Sequence, residues 1–162
     1  LQCNHVIPKA VDDKLEVFST GRDLSYHVDG MTFKNIPEYI MLFCMRGKPE
    51  AKTRFIKAVD VLTQLTSKIK AELAKNQFDY DDVLNMNERG AFTTREENDP
   101  QRIGTPYAIL DEKGNLHYSQ RSMGVNKNAK MALEAFRDAM GNVSPHDVVL
   151  EDNDVLVFRN DK

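Results

Sequence analysis

The sequence predicts a mainly β domain with two helices packed against its outside. Three observations carry that expectation. Short apolar runs of strand length recur along the chain, the period changes to 3.6 in only two places, and turn-forming residues punctuate the intervals. With 162 residues the chain is long enough to bury one core. It has no internal repeat, low-complexity tract or composition shift, so a single domain over residues 1–162 is expected.

In chain order, Leu15, Glu16, Val17 and Phe18 alternate as a short strand, and Gly21-Arg22-Asp23 is a turn. Residues 24–29 read as a second strand, broken by Gly30. The run from Tyr39 through Ile40, Met41, Leu42, Phe43 and Cys44 to Met45 is continuously apolar, the pattern of a strand buried on both faces. The turn residues Gly47 and Pro49 lead into a returning strand over 51–56, so the two runs read as a hairpin. Over 58–75 the period is helical, with Leu62, Leu65, Ile69 and Leu73 on one stripe.

Residues 77–84 form a strand candidate and 85–101 a long polar loop. Two strand candidates, 106–110 and 115–120, flank the turn sequence Asp111-Glu112-Lys113-Gly114. The second helix is expected over 128–140, with Ala129, Ala132, Phe136, Ala139 and Met140 on its inner face and Met131, Leu133 and Ala135 widening it. Asn126 or Asn128 suits its start, and Gly141 its end. Residues 146–150 and 155–158 close the chain as a strand pair around a turn in which Asn153 suits the left-handed conformation. Met41, Met45, Met123, Met131 and Met140 are expected to pack the core.

Composition excludes several classes. A net charge of -3 gives no basic excess for nucleic acid or an anionic membrane surface. No apolar run approaches the roughly 18 residues of a membrane span. Cys3 and Cys44 form no CxxC pair, which argues against a disulfide framework and for a reducing, cytoplasmic setting. Asp79, Asp81 and Asp82 lack the glycine and glutamate spacing of a calcium loop and read as a solvated edge.

The stretch Ser25-Tyr26-His27-Val28-Asp29-Gly30 carries the chemistry. In a strand, residues i and i+2 share a face, so His27 and Asp29 would present an imidazole and a carboxylate to one point. These are two members of a two-His-one-carboxylate facial triad, the set that leaves iron positions open for a chelating ligand and O2. Alone the triplet is a weak signal, because a surface histidine beside a solvated aspartate has the same sequence.

The order of motifs around it resembles the clavaminate-synthase-like and taurine-dioxygenase-like branch of the Fe(II)/2-oxoglutarate-dependent oxygenases. His5-Val6-Ile7-Pro8 and a polar stretch precede the triplet. Pro37-Glu38-Tyr39 and the apolar run follow it, and Thr53 comes 26 residues after His27. Leu150 to Phe158 is similar to the family's late strand-turn-strand, with Asn153 in place of its glycine before Asp154. Phe158-Arg159-Asn160 is similar to its Phe-Asp-Asn, with Arg159 in place of the acid.

The resemblance implies a distorted double-stranded β-helix, a jelly-roll or cupin-like core. It implies Fe(II) held by His27, Asp29 and a histidine expected just after Lys162. It implies 2-oxoglutarate held by Thr53 and a later arginine, and O2 and a small molecule as the other reactants. The activity implied is oxidation of an unactivated C–H, most simply hydroxylation, in a small amino-acid-like or carboxylate substrate. An intact Asp29 argues against halogenation. Because the chain stops before the second histidine and lacks most of the usual N-terminal region, a fragment inactive by itself is expected. Arg121, after a strand candidate, suits a substrate carboxylate, although a solvated surface arginine has the same sequence. Two other readings stay open: an inactive β-helix domain used for binding, and a complete small cupin-like metal protein whose third ligand is His117 or His146. His5, His117 and His146 each otherwise read as surface or structural.

Overall fold

A computed structural model describes residues 25–31, 33–80 and 106–162. The expectations placed on residues 1–24, 81–84 and 85–101 lie outside the described residues. The described elements run β1 (Tyr39–Phe43), β2 (Lys52–Phe55), α1 (Ala58–Thr63), α2 (Ser67–Leu73), β3 (Phe78–Tyr80), β4 (Ser122–Gly124), α3 (Lys127–Asn142), β5 (His146–Val149) and β6 (Val155–Arg159). Helical and strand residues are nearly balanced among them, so the architecture is mixed rather than mainly β.

The strands pair in a way their order along the chain does not suggest. β1 pairs antiparallel with β6, and β2 with β5. The expected hairpin between the first two strands is therefore absent, and so is the expected pair formed by the last two. Instead β1 and β2 run as one arm of a long ribbon, and β5 and β6 as the other. The ribbon bends where both arms turn together. There Cys44 N–H donates to Asp154 O at 2.9 Å, Asn153 N–H to Cys44 O at 2.7 Å, and Gly47 N–H to Asp152 Oδ1 at 2.6 Å. Asn153 takes the left-handed conformation, with φ of 72°. At Gly47 a Cβ would collide with the Leu150 carbonyl oxygen and sit 2.9 Å from Glu151 Cα, so only glycine lets the arms approach this closely. Beyond the bend, Phe55 of β2 packs on Phe158 of β6 with ring centroids 4.7 Å apart.

Burial alternates along the ribbon. Ile40 and Leu42 of β1 and Leu156 and Phe158 of β6 are half-buried, whereas Tyr39, Met41, Phe43, Val155 and Val157 are exposed. The apolar run of β1 is thus covered on one face only, which corrects the reading of a strand buried on both. On the outer side of β2 and β5, Arg54 Nε donates to Asp147 Oδ1 at 2.8 Å, and this cross-strand pair fixes the register.

The helical segment expected over 58–75 is two short helices. The polar pair Thr66-Ser67 restarts the chain: Thr66 is extended and its hydroxyl accepts from Ile69 N–H at 3.3 Å, the geometry of an N-cap. The predicted stripe survives the break, since Leu65 and Leu73 are buried and Leu62 and Ile69 pack against the core. In α3, Asn126 is the cap, accepting from Ala129 N–H at 2.9 Å, and the helix runs through Gly141 instead of stopping there. Its buried face is Ala129, Ala132, Leu133, Phe136, Ala139 and Met140. Of the five methionines expected in the core only Met140 is buried, because Met41, Met45, Met123 and Met131 fall on outer faces.

β3 pairs with β4. The strand candidates at 106–110 and 115–120 form only isolated bridges, Phe78 with Tyr107 and Leu110 with Leu116. Asp111 explains why: its carboxylate accepts from Lys113 N–H and Asn115 N–H, closing a tight side-chain turn that leaves little ladder on either side. Beneath it the core gathers Leu73, Phe78, Ile109, Tyr118 and Phe136. Tyr107 donates to Ser122 Oγ at 2.8 Å, and burial pushes its phenol up to about 12.

Candidate metal centre

The segment holding His27 and Asp29 is not a strand. From residue 25 it runs through a bend and a turn, with Gly30 at φ +69°, where a Cβ would sit 3.0 Å from the Pro37 ring. Strand alternation therefore does not put His27 and Asp29 on a shared face, yet the two side chains do meet. His27 Nε2 lies 3.2 Å from Asp29 Oδ1. The convergence comes from the loop's tethers. Val28 points inward, 8% exposed, and its N–H donates to Tyr118 O at 2.9 Å, while His27 and Asp29 on either side stay at the surface.

The protonation pattern of His27 is constrained. Its Nδ1 lies 2.8 Å from Ser25 O, and a carbonyl only accepts, so Nδ1 carries hydrogen. In the neutral ring Nε2 then presents a lone pair to a carboxylate oxygen. Two acceptors at this distance need a proton or a cation between them. The bond to Asp29 accordingly holds the imidazole above its ordinary value, burial opposing and the Ser25 carbonyl assisting. A metal fits the same geometry: two ligands each about 2.1 Å from one ion at a right angle have donors about 3 Å apart. The Nδ1–H to carbonyl bond is also the outer contact that orients a ligating imidazole. His27 is 32% exposed and Asp29 50% exposed, so a ligand has access from solvent.

The loop is held from two further directions. His117, read as surface or structural, is buried, with Nδ1 3.2 Å from Met31 O and Nε2 3.9 Å from Asp111 Oδ2. Asn160 bonds both backbone groups of Asp29. Sequence reading missed both contacts, because a polar residue's burial is a tertiary property. His146 sits on β5 opposite Phe55 and is exposed. Among the described residues no three His, Cys, Asp or Glu side chains gather to hold a metal. Neither His117 nor His146 joins His27 and Asp29.

Thr53 lies on β2, half-buried, on the same face of the strand as Phe55. Arg121 is half-buried in the turn before β4, its N–H donating to Ser119 Oγ at 3.2 Å. That turn is secured by Arg137 of α3, whose Nη2 donates to Gln120 O and Ser122 O, both at 2.9 Å.

Comparison of the whole backbone with solved structures decides the fold. The chain superposes on asparagine oxygenase with a TM-score of 0.59, covering 83% of this chain and 39% of that one at 16% identity. It has the fold of the non-haem iron oxygenases. OrfP, a non-haem iron oxygenase solved in complex with Fe and L-Arg, gives a TM-score of 0.62 over 87% of this chain and 44% of its own, at 16% identity. A second asparagine oxygenase structure, in complex with Fe(II), 2S,3S-3-hydroxyasparagine and succinate, gives 0.60 over 83% of this chain and 40% of its own. The chain thus spans about two fifths of the length of these neighbours. No protein-family model and no curated protein matches its sequence. The resemblance drawn from motif order is therefore met by the fold. Among the described residues no helix is long and apolar enough to cross a membrane.

Proposed function

We propose that this chain is the core of a non-haem Fe(II)/2-oxoglutarate-dependent oxygenase that hydroxylates a small amino-acid-like substrate. One observation carries the reading. In a fold shared with such oxygenases, an imidazole and a carboxylate converge at 3.2 Å, a separation that two ligands of one metal ion would have. The bent two-stranded ribbon, with its inner faces meeting at Phe55 and Phe158, supports assignment of the core to a double-stranded β-helix.

His27 and Asp29 would hold the iron, and a third protein ligand, a histidine that the family pattern sets a few residues after Lys162, would complete the triad. The bound iron would supply activation of O2 with 2-oxoglutarate as the co-reductant. The protein's own part is binding and aiming. Ser25 O keeps the His27 proton on Nδ1 and its lone pair outward. Thr53 is assigned to the distal carboxylate of 2-oxoglutarate, and Arg121 to a carboxylate of the substrate. The amino-acid substrate class is proposed because the neighbours were solved with hydroxyasparagine and arginine bound.

The test is metal uptake followed by turnover. The full-length protein, with the third ligand in place, should bind Co(II) or Fe(II), and His27→Ala or Asp29→Ala should each weaken that binding by at least about 100-fold. Wild-type affinity retained in both variants would overturn the reading. The binding-domain alternative is separated by 2-oxoglutarate consumption, which it would lack.

A further inference from the structure

We infer that Asn160 is the positioning residue that sets the conformation of the His27–Asp29 loop, an inference that rests on the proposed metal centre for its consequence. Asn160 is 8% exposed and follows β6 directly. Its side-chain amide is fully used. Oδ1 accepts from Asp29 N–H at 2.9 Å, and Nδ2 donates to Asp29 O at 2.9 Å and to Pro37 O at 2.8 Å. Its own backbone N–H donates to Glu38 O at 2.9 Å, which continues the β1–β6 ladder by one step.

The consequence is geometric. The amide of Asn160 bonds to both the N–H and the C=O of the one residue Asp29, as a neighbouring strand would. Both peptide groups flanking the Asp29 Cα are thereby fixed, and with them the direction of its Cα–Cβ bond. The carboxylate is then one short, two-torsion side chain from a clamped backbone. A loop without regular structure has no ladder of its own to do this. Asn is suited to the task because its planar amide offers an acceptor and two donors together. Asp offers acceptors only, and Ala nothing. The same short segment also reaches the loop's other anchor: Leu116 N–H donates to Asp161 O at 3.4 Å, beside the Tyr118 carbonyl that holds Val28. Burial of the Asn160 amide makes the contact costly to break, because that amide would lose its bonds away from water.

The experiment is amide hydrogen exchange of the full chain by NMR, paired with Co(II) titration, for wild type, Asn160→Ala and Asn160→Asp. The wild-type Asp29 amide should be protected. Asn160→Ala should speed its exchange by at least about tenfold while the α3 amides, such as that of Phe136, exchange unchanged. The isosteric Asn160→Asp keeps the shape and directs a carboxylate oxygen at two carbonyls, so it should speed the Asp29 amide too, and it serves if the alanine variant does not fold. Co(II) affinity should fall about 10- to 100-fold in either variant. An unprotected Asp29 amide in the wild type, or exchange unchanged by both substitutions, would overturn the clamp. Faster exchange with unchanged Co(II) affinity would overturn the positioning role. Full-length wild-type protein that takes up no Co(II) refutes the metal centre instead, and the exchange result still decides whether Asn160 holds the loop.

Discussion

At the scale of single residues, side-chain chemistry was legible and side-chain surroundings were not. His27 and Asp29 stand out as candidates because few residue types make a facial iron site, and their spacing allows one point of convergence. Strand alternation is not what brings the two side chains together. A loop tethered at Val28 and Asp29 aims the pair, where a strand had been expected. His117 illustrates the limit: its burial and its bond to the Met31 carbonyl depend on a segment 86 positions away. Thr53 belongs to this scale as well. Its inward face on β2 and its spacing from His27 support a hydroxyl that serves 2-oxoglutarate, so Thr53→Ala in the full-length enzyme should raise the half-saturating 2-oxoglutarate concentration several-fold and the Fe(II) requirement little. Steady-state kinetics varied in each reactant decides this, and equal changes in both would remove the assignment.

At the scale of elements, existence was easier to read than partnership. Both helical regions were found, and α3 was placed within a residue or two of its observed start, because an apolar stripe with an asparagine cap is a local signal. The break between α1 and α2 was missed although Thr66-Ser67 marks it, since the stripe continues across the gap. Strand pairing was misread twice for one reason. Adjacent strands joined by a turn usually pair, but here each turn is a bend of a longer ribbon, and the partner of each strand lies about a hundred positions away. Gly47 is the tightest point of that bend. Gly47→Ala would drive a Cβ into the Leu150 carbonyl, and the arms must part to admit it. The substitution should cost about 2–4 kcal/mol of stability, seen as a lowered urea midpoint. A loss below about 0.5 kcal/mol would mean that the bend relaxes freely.

At the scale of the whole molecule, acid stability reports the carboxylates that the fold has paired. Hydrogen bonding to Arg159 holds Asp161 below the usual carboxylate range, and Arg54, then Lys52, does the same for Asp147. Such groups bind protons less readily folded than unfolded. Their contribution is therefore fully present above the unfolded value of about 4 and is lost as pH falls through the lower folded value. Asp161 matters most, because it is buried and its carbonyl links the end of β6 to Leu116. Urea midpoints measured from pH 6 down to pH 2 should decline for the wild type, and Asp161→Asn should flatten the part of that decline below about pH 4. An unchanged slope would show that the pair carries no pH-dependent stability.

By itself the sequence determined the two helical stripes, the turn residues at Asp111 and Asn153, and the imidazole and carboxylate proposed for iron. All of these are set by contacts within a few positions along the chain, where spacing is enough to say which groups can meet. Only the tertiary structure decided which strand lies beside which, that β1 keeps one apolar face open, that four of the five methionines expected in the core stay outside it, and that Asn160 closes on Asp29. Those outcomes depend on segments from about forty to more than a hundred positions apart or on which face a bend turns inward, and no local spacing encodes either.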